Sequence, residues 1–344
     1  MEEQRNIPGL LDQLSQPGFL VRDGRITRVN QAAGAMLLEP GQDILPLLQT
    51  GQEEFATLEN GQLSLTLTIA GRPHAATVLP EEGCFLFLLN QEEDREEFRS
   101  MALVSMELRG PLMQAITGTR QLEAGETSAR VSRSLMQMLR MVCNMSDISR
   151  YTGSAKMEIR DVDALLLELF EKAGALMDGS VTISYEGLKQ PLFIPVDPEQ
   201  LERAVWNILS NSVKFMPQGG RIHASLTRRG RMLHLTVTDS GSGIQEAVRS
   251  TLFHRYLRQP GIEDSRFGLG LGLAIVRAAA ANHGGTVLMG STPEGGTRVT
   301  MTLSLDREAE PILRSPLLRP DYTGGWDHGL VELADCLGSE YFSD

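Results

Sequence analysis

The chain has 344 residues, 41% apolar and 22% charged, an ordinary globular composition that excludes a largely disordered protein. At about 150 residues per domain, the length predicts two or three folded units. With 32 Lys plus Arg against 44 Asp plus Glu, a net charge of −12, it lacks the basic footprint of a nucleic-acid binder, so no nucleic-acid partner is expected.

The three cysteines, Cys84, Cys143 and Cys336, are odd in number and show no metal-ligand or redox spacing, which fits a reducing compartment and excludes a disulfide framework. Residues 1–8 carry Glu2, Glu3 and Arg5 with no apolar run. The most apolar stretch, residues 84–89, is far short of the roughly 18 residues that a membrane span needs. A cytoplasmic protein with no membrane span is the expectation.

Residues 10–90 read as short strands between turns. Phe19-Leu20-Val21 precedes the turn Arg22-Asp23-Gly24, residues 26–29 follow it, and residues 63–69 alternate Leu, Ser, Leu, Thr, Leu, Thr, Ile before Gly71, the period of a half-buried sheet. A helical stretch over 31–38 ends at Pro40-Gly41, and the last strand, 84–89, runs into a polar segment. Two strands, helices, then three strands leading into a charged helix resemble a PAS sensor domain, placed at residues 1–92.

From about Asp94 the period becomes helical. Phe98, Met101, Ser105, Leu108, Leu112, Ala115 and Thr119 recur at spacings of three and four, and Gly125 interrupts them. Leu135, Met138, Val142, Met145 and Ile148 form a second stripe. Two such helices, residues 93–153, predict an antiparallel hairpin that buries its stripe by dimerising into a four-helix bundle.

Residues 154–305 alternate strands and helices. Between Gly219 and Gly296 lie 14 of the 34 glycines, about twice an even share, so that backbone must adopt conformations that side chains forbid. The tail, residues 306–344, carries three Arg against nine Asp plus Glu. It is expected to be partly disordered, with a short helix over 329–337.

Four motifs follow one another here. In the first, Asp197 to Phe215, Asn207, Asn211 and Lys214 fall within about 60° of one another on a helix, with Leu201, Val205, Ile208 and Ser212 opposite. Asn supplies an oxygen ligand to a hard cation and Lys a positive charge for phosphate. The second is Asp239-Ser240-Gly241-Ser242-Gly243, after a strand over 233–238. A carboxylate at a strand end beside a glycine turn can accept from an adenine amino group while backbone approaches the ring. In the third, residues 252–258, Arg258 is placed to reach a phosphate. The fourth, Gly268-Leu269-Gly270-Leu271-Gly272-Leu273, leads into a helix that residues 282–285 end. Such glycines present backbone N–H groups and a helix N-terminus to phosphates.

Together the four resemble, in order and spacing, the N, G1, F and G2 boxes of the ATP-binding domain of histidine kinases, within the GHKL superfamily. The resemblance covers about residues 197–305. It implies a Bergerat-type α/β sandwich that binds ATP and Mg²⁺. Asn211 would be the metal ligand, supported by Asn207, and Lys214 and Arg258 would touch phosphates. Asp239 would read the adenine beside Gly241 and Gly243, with Phe215 and Thr297 lining its pocket. Gly268, Gly270 and Gly272, with Leu271 between them, would shape the lid. The implied fold class is multidomain α+β: a PAS-like sensor, a HisKA-type helical dimerisation hairpin and this ATP domain.

The hairpin holds a departure from the family. Its acceptor motif, Ser-His-Glu-Leu-Arg-Thr-Pro-Leu, corresponds here to Ser105-Met106-Glu107-Leu108-Arg109-Gly110-Pro111-Leu112. Met106 stands where the phosphorylated histidine belongs, and a thioether cannot form the phosphoramidate that imidazole forms. Glu107, the family's acid/base, then has no proton to take. Gly110 replaces the Thr or Asn that orients water for dephosphorylating a response regulator. None of the six histidines lies between residues 94 and 151.

The resulting expectation is a dimeric, histidine-kinase-like signalling protein that binds ATP-Mg without self-phosphorylation at the usual place, coupled to a response regulator. One alternative is a kinase that phosphorylates a histidine on a partner bundle, as in a heterodimer with a His-bearing kinase. Another is an interaction scaffold that has lost nucleotide binding.

Overall fold

The computed structural model describes residues 11, 12, 14, 16–81, 83–89, 94–119, 125–151, 155–177, 179–244, 271–306 and 322–342, with the side chains of 94–101 and 148–150 left aside. Strands β1 (Gly18–Arg22) and β2 (Arg25–Val29) are joined by Asp23 and Gly24 at φ 49° and 73°, the left-handed pair that a two-residue hairpin turn requires. Asn30 caps α1 (Gln31–Gly34) by accepting from the Ala33 N–H at 2.9 Å, which satisfies an orphan donor of the first turn. After α2 (Gln52–Ala56) come β3 (Gln62–Ile69), β4 (Arg72–Glu81) and β5 (Cys84–Leu89). Leu63, Leu65, Leu67 and Ile69 point into one core with Phe19, Phe55 and Phe87, as their period of two dictates.

Half-burial does not hold at the start of β3, where Gln62, Ser64 and, across the ladder, Thr77 are buried too. The reason is topological. β3 is not an edge, because Leu63 pairs with Leu288 and Gln62 with Met289 of β11 (Val287–Ser291), and α7 (Gly272–Asn282) also touches it.

The remaining strands are β7 (Val181–Glu186), β9 (Gly220–Arg229), β10 (Met232–Asp239) and β12 (Thr297–Ser304). Ten strands thus form one sheet in the order β2-β1-β5-β4-β3-β11-β12-β10-β9-β7. Its pairs are antiparallel except β7 with β9. β6 (Glu158–Asp161) and β8 (Phe193–Val196) form a separate pair. Helices α5 (Val162–Ala175), α6 (Pro198–Lys214) and α7 belong to this second half.

The two long helices, α3 (Asp94–Thr119) and α4 (Glu126–Arg150), pack on each other. Their buried face is broader than the expected stripes: Ser105 and Val142 are buried and Leu112, Leu135 and Met145 pack against cores, but Leu108 and Met138 are 49% and 42% exposed, and Ile116, Met136, Leu139 and Cys143 are buried in addition. The cause is the chain's end. Residues 322–342, including α8 (His328–Glu332), place Tyr322, Val331, Leu333, Ala334, Leu337 and Phe342 in one core with Met136 and Leu139 of α4 and Trp206 of α6. Among the described residues, no helix is long and apolar enough to cross a membrane.

Candidate functional site

Asp197 starts α6 by accepting from the Gln200 N–H at 3.1 Å, and Pro198 follows at the first helical position, where its fixed φ suits a helix start. The expected division of α6 into a packed and a ligand face needs correction, because the helix is enclosed on most sides. Asn207 is 1% exposed. Its Nδ2 donates to the Arg203 carbonyl at 2.8 Å, and its Oδ1 lies 3.5 Å from Arg140 Nη2 of α4. Gly272 lies against the same amide: a Cβ there would be 2.7 Å from Asn207 Oδ1, so only glycine lets α7 begin so close.

Asn211 and Phe215 line a cavity with Ile208 and Ser212, the two residues expected on the opposite face, together with Asp239, Gly243 and Thr297. Leu273, Met289 and Val299 complete apolar walls. Asp239 ends β10 and is buried. Its Oδ1 accepts from the N–H groups of Gly241, at 2.9 Å, and Thr297, at 3.0 Å. Two backbone donors fix the carboxylate, which leaves Oδ2 as the oxygen for an amino group. Gly243, at φ +71°, sits where a Cβ would lie 2.4 Å from the Gly295 carbonyl oxygen. The site therefore brings together Asn211, Phe215, Asp239, Gly243 and Thr297, with Gly241 holding the carboxylate.

Lys214 is directed elsewhere. Its Nζ donates to Asp335 Oδ2 at 2.8 Å, and it borders a neighbouring cleft with Cys336, Leu337 and Tyr341. Leu271 is buried against Tyr151 and Ile275. Arg258, Gly268 and Gly270 lie outside the described residues.

On α3, Met106 is 67% exposed, and Glu107 and Gly110 are exposed with it. Ser105 is buried and donates to the Ala102 carbonyl at 2.7 Å.

Among the described residues, three buried cations and three buried anions form a network that sequence reasoning did not find. Arg140 reaches Glu332 at 3.2 Å and Asp335 at 2.6 Å. Arg203 reaches Asp147 at 2.6 Å and also pairs with Glu332, and its guanidinium lies 4.6 Å over the Tyr322 ring. Burial works against the Arg203 charge, but Asp147 together with Tyr322, Cys143 and Tyr151 outweighs it and the pKa rises. Burial lowers the pKa of Lys214, Arg140 repels it further, and Asp335 only partly compensates. The available signal was the apolar spacing of Leu330, Val331, Leu333, Ala334 and Leu337 in the tail, which marks a segment with a face to bury.

Residues 196–307 match the family described as Histidine kinase-, DNA gyrase B-, and HSP90-like ATPase. The chain is similar to the sensor histidine kinase TmoS of Ectopseudomonas mendocina, 33% identical over 239 residues that cover 64% of this chain and 24% of TmoS. It is also similar to the sensor-like histidine kinase SenX3 of Mycobacterium tuberculosis, 31% identical over 248 residues that cover 66% of this chain and 60% of SenX3. The chain thus spans about a quarter and three fifths of these relatives. The crystal structure of full-length ShkA in complex with AMPPNP has the same fold over 62% of this chain and 47% of its own, with TM-score 0.51 and 21% identity. Residues 196–307 thus resemble the ATPase domain shared by histidine kinases, DNA gyrase B and HSP90.

Proposed function

We propose that the chain is a histidine-kinase-like signal-transduction protein of two-component type that binds ATP and Mg²⁺ and does not phosphorylate itself at the usual position. The observation that carries this reading is Asp239, held by two backbone N–H groups in the lining of a cavity with Ile208, Phe215, Met289 and Thr297. A mostly apolar cavity with one oriented carboxylate fits an adenine. Asn211 at the same cavity supplies one oxygen, which fits magnesium, a cation held by one or two protein oxygens with phosphates and water as the rest. The bound metal would neutralise phosphate charge, and Asn211 would orient it.

Met106 occupies the acceptor position and carries sulfur and carbon, so this chain offers no nucleophile there. The buried Ser105 hydroxyl is engaged with Ala102 and is not a substitute. In this reading residues 1–92 are a PAS-like sensor, a view supported by their order of two strands, helices and three strands. Residues 93–153 are the dimerisation hairpin, supported by the exposed Leu103, Val104, Met106 and Val131. Residues 154–305 bind the nucleotide, and the sensor biases the hairpin and the docking of a response regulator in the cytoplasm. Partners would be a second copy or a His-bearing kinase.

The test is incubation of wild type and Met106→His with γ-labelled ATP. We expect no stable label on wild type and label on the variant; label on wild type would overturn the silent acceptor. Adding a His-bearing kinase to the wild-type reaction separates the partner-phosphorylating alternative, which predicts label on that partner.

A further inference from the structure

Lys214 and Arg140 converge on a single carboxylate oxygen, Asp335 Oδ2, at 2.8 and 2.6 Å. All three side chains are at least nine-tenths buried, at 6%, 5% and 10% exposure. Arg140 also approaches Asn207 Oδ1, so the polar row Asn207, Asn211, Lys214 is covered at both ends by this pair. An oxyanion between an ammonium and a guanidinium, one helical turn from Asn211, is the arrangement a nucleotide phosphate would seek. Among the described residues, the three cations Arg140, Arg203 and Lys214 balance the three anions Asp147, Glu332 and Asp335. Removing Asp335 would leave one buried positive charge unpaired, and such a site needs another anion.

We propose that residues 322–342 act as a tethered competitor of the nucleotide: the Asp335 carboxylate occupies a phosphate subsite formed by Lys214 and Arg140, and leaves it when a triphosphate binds. Arg140, from the hairpin, is then a phosphate-binding residue of the ATP site, which links nucleotide occupancy to the seating of α4 on α6. The tail's other anchor, Glu332 between Arg140 and Arg203, keeps the segment tethered after Asp335 departs. This inference rests on the nucleotide-binding reading above.

A binding-competent state populated about one time in ten weakens apparent affinity about tenfold, so freeing the subsite should recover that factor. The experiment is calorimetric titration of Mg-AMPPNP into the full chain, wild type and Asp335→Asn, with hydrogen exchange of residues 328–342 followed in wild type with and without nucleotide. We expect at least tenfold tighter binding by the variant and faster exchange of 328–342 when wild type is loaded. Equal affinities with unchanged exchange would overturn the competitor while leaving the nucleotide site standing. Absence of binding by both proteins would overturn the nucleotide reading and the competitor with it. Should Asp335→Asn fail to fold, the wild-type exchange decides alone: faster exchange supports the proposal, and unchanged or slower exchange overturns it.

Discussion

Replacing Arg203 with leucine tests whether the buried network holds the chain's end onto the ATP domain. Arg203 is fully buried, bonds Asp147 at 2.6 Å and Asn144 at 2.6 Å, pairs with Glu332 and lies over Tyr322. In Arg203→Leu, Glu332 keeps Arg140, but Asp147, whose side chain is 3% exposed, loses the arginine that neutralises it. Breaking a buried ion pair from one side costs about 3–5 kcal/mol, because the remaining charge stays desolvated. With a urea dependence of about 2.5 kcal/mol per M, the unfolding midpoint falls by about 1–2 M. Trp206, one helical turn from Arg203 and fully buried, reports this unit by fluorescence in a Trp326→Phe background. The exposed pair Arg231 with Asp306 is the control: Arg231→Ala should not move the midpoint, since water and salt screen such pairs. A shift below about 0.3 M for Arg203→Leu would refute the assignment of a structural role to the network, since it falls far under the buried-pair cost.

Asp239→Asn keeps an oxygen for the Gly241 and Thr297 N–H groups but turns an amide donor toward the adenine amino group. Adenine nucleotide affinity should fall about 10- to 100-fold, measured by calorimetry, with the melting temperature little changed. Gly61→Ala strains the β3–β11 seam, because Gly61 has φ +86° and a Cβ there would lie 2.2 Å from the Met289 carbonyl oxygen. Urea unfolding should show a loss of about 1–3 kcal/mol. Stability should also fall as pH rises above 9. Burial raises the thiol pKa values of Cys143 and Cys336 above 9.0, and burial raises Tyr322 above 10.0. The folded state therefore holds protons that the unfolded chain releases, and the loss is up to about 1.4 kcal/mol per thiol per pH unit. Cys84 and Tyr185, also raised, act in the same direction, and Lys214, lowered from 10.5, acts in the opposite one. Cys143→Ala with Cys336→Ala should flatten the slope seen in urea midpoints between pH 8 and 10.5.

Part of the cavity's lining was legible in the sequence, because Asp239 at a strand end and the glycines after it are properties of single short elements. The helical spacing on α6 was a weaker guide: Asn211 lines the cavity, whereas Lys214 turns to Asp335. The division of α6 into two faces assumes one buried side, and α6 is covered by the sheet, by α7 and by the chain's end at once. Similarly, Met136 and Leu139 are buried on α4 while Met138 of the expected stripe is exposed, because the surface they meet arrives from residues nearly 200 positions later. Arg140, Glu332 and Asp335 were illegible for the same reason. Charges in sequence read as solvated faces until the fold pairs them, and nothing local marks a carboxylate as the partner of a lysine 121 residues away.

The most direct measurement is titration of Mg-AMPPNP into the wild-type chain and into Asn211→Ala. Saturable binding at one site per chain by wild type, weakened at least about tenfold by loss of the metal-orienting amide, is the predicted result. A wild-type chain that folds normally yet takes up no adenine nucleotide would contradict the account.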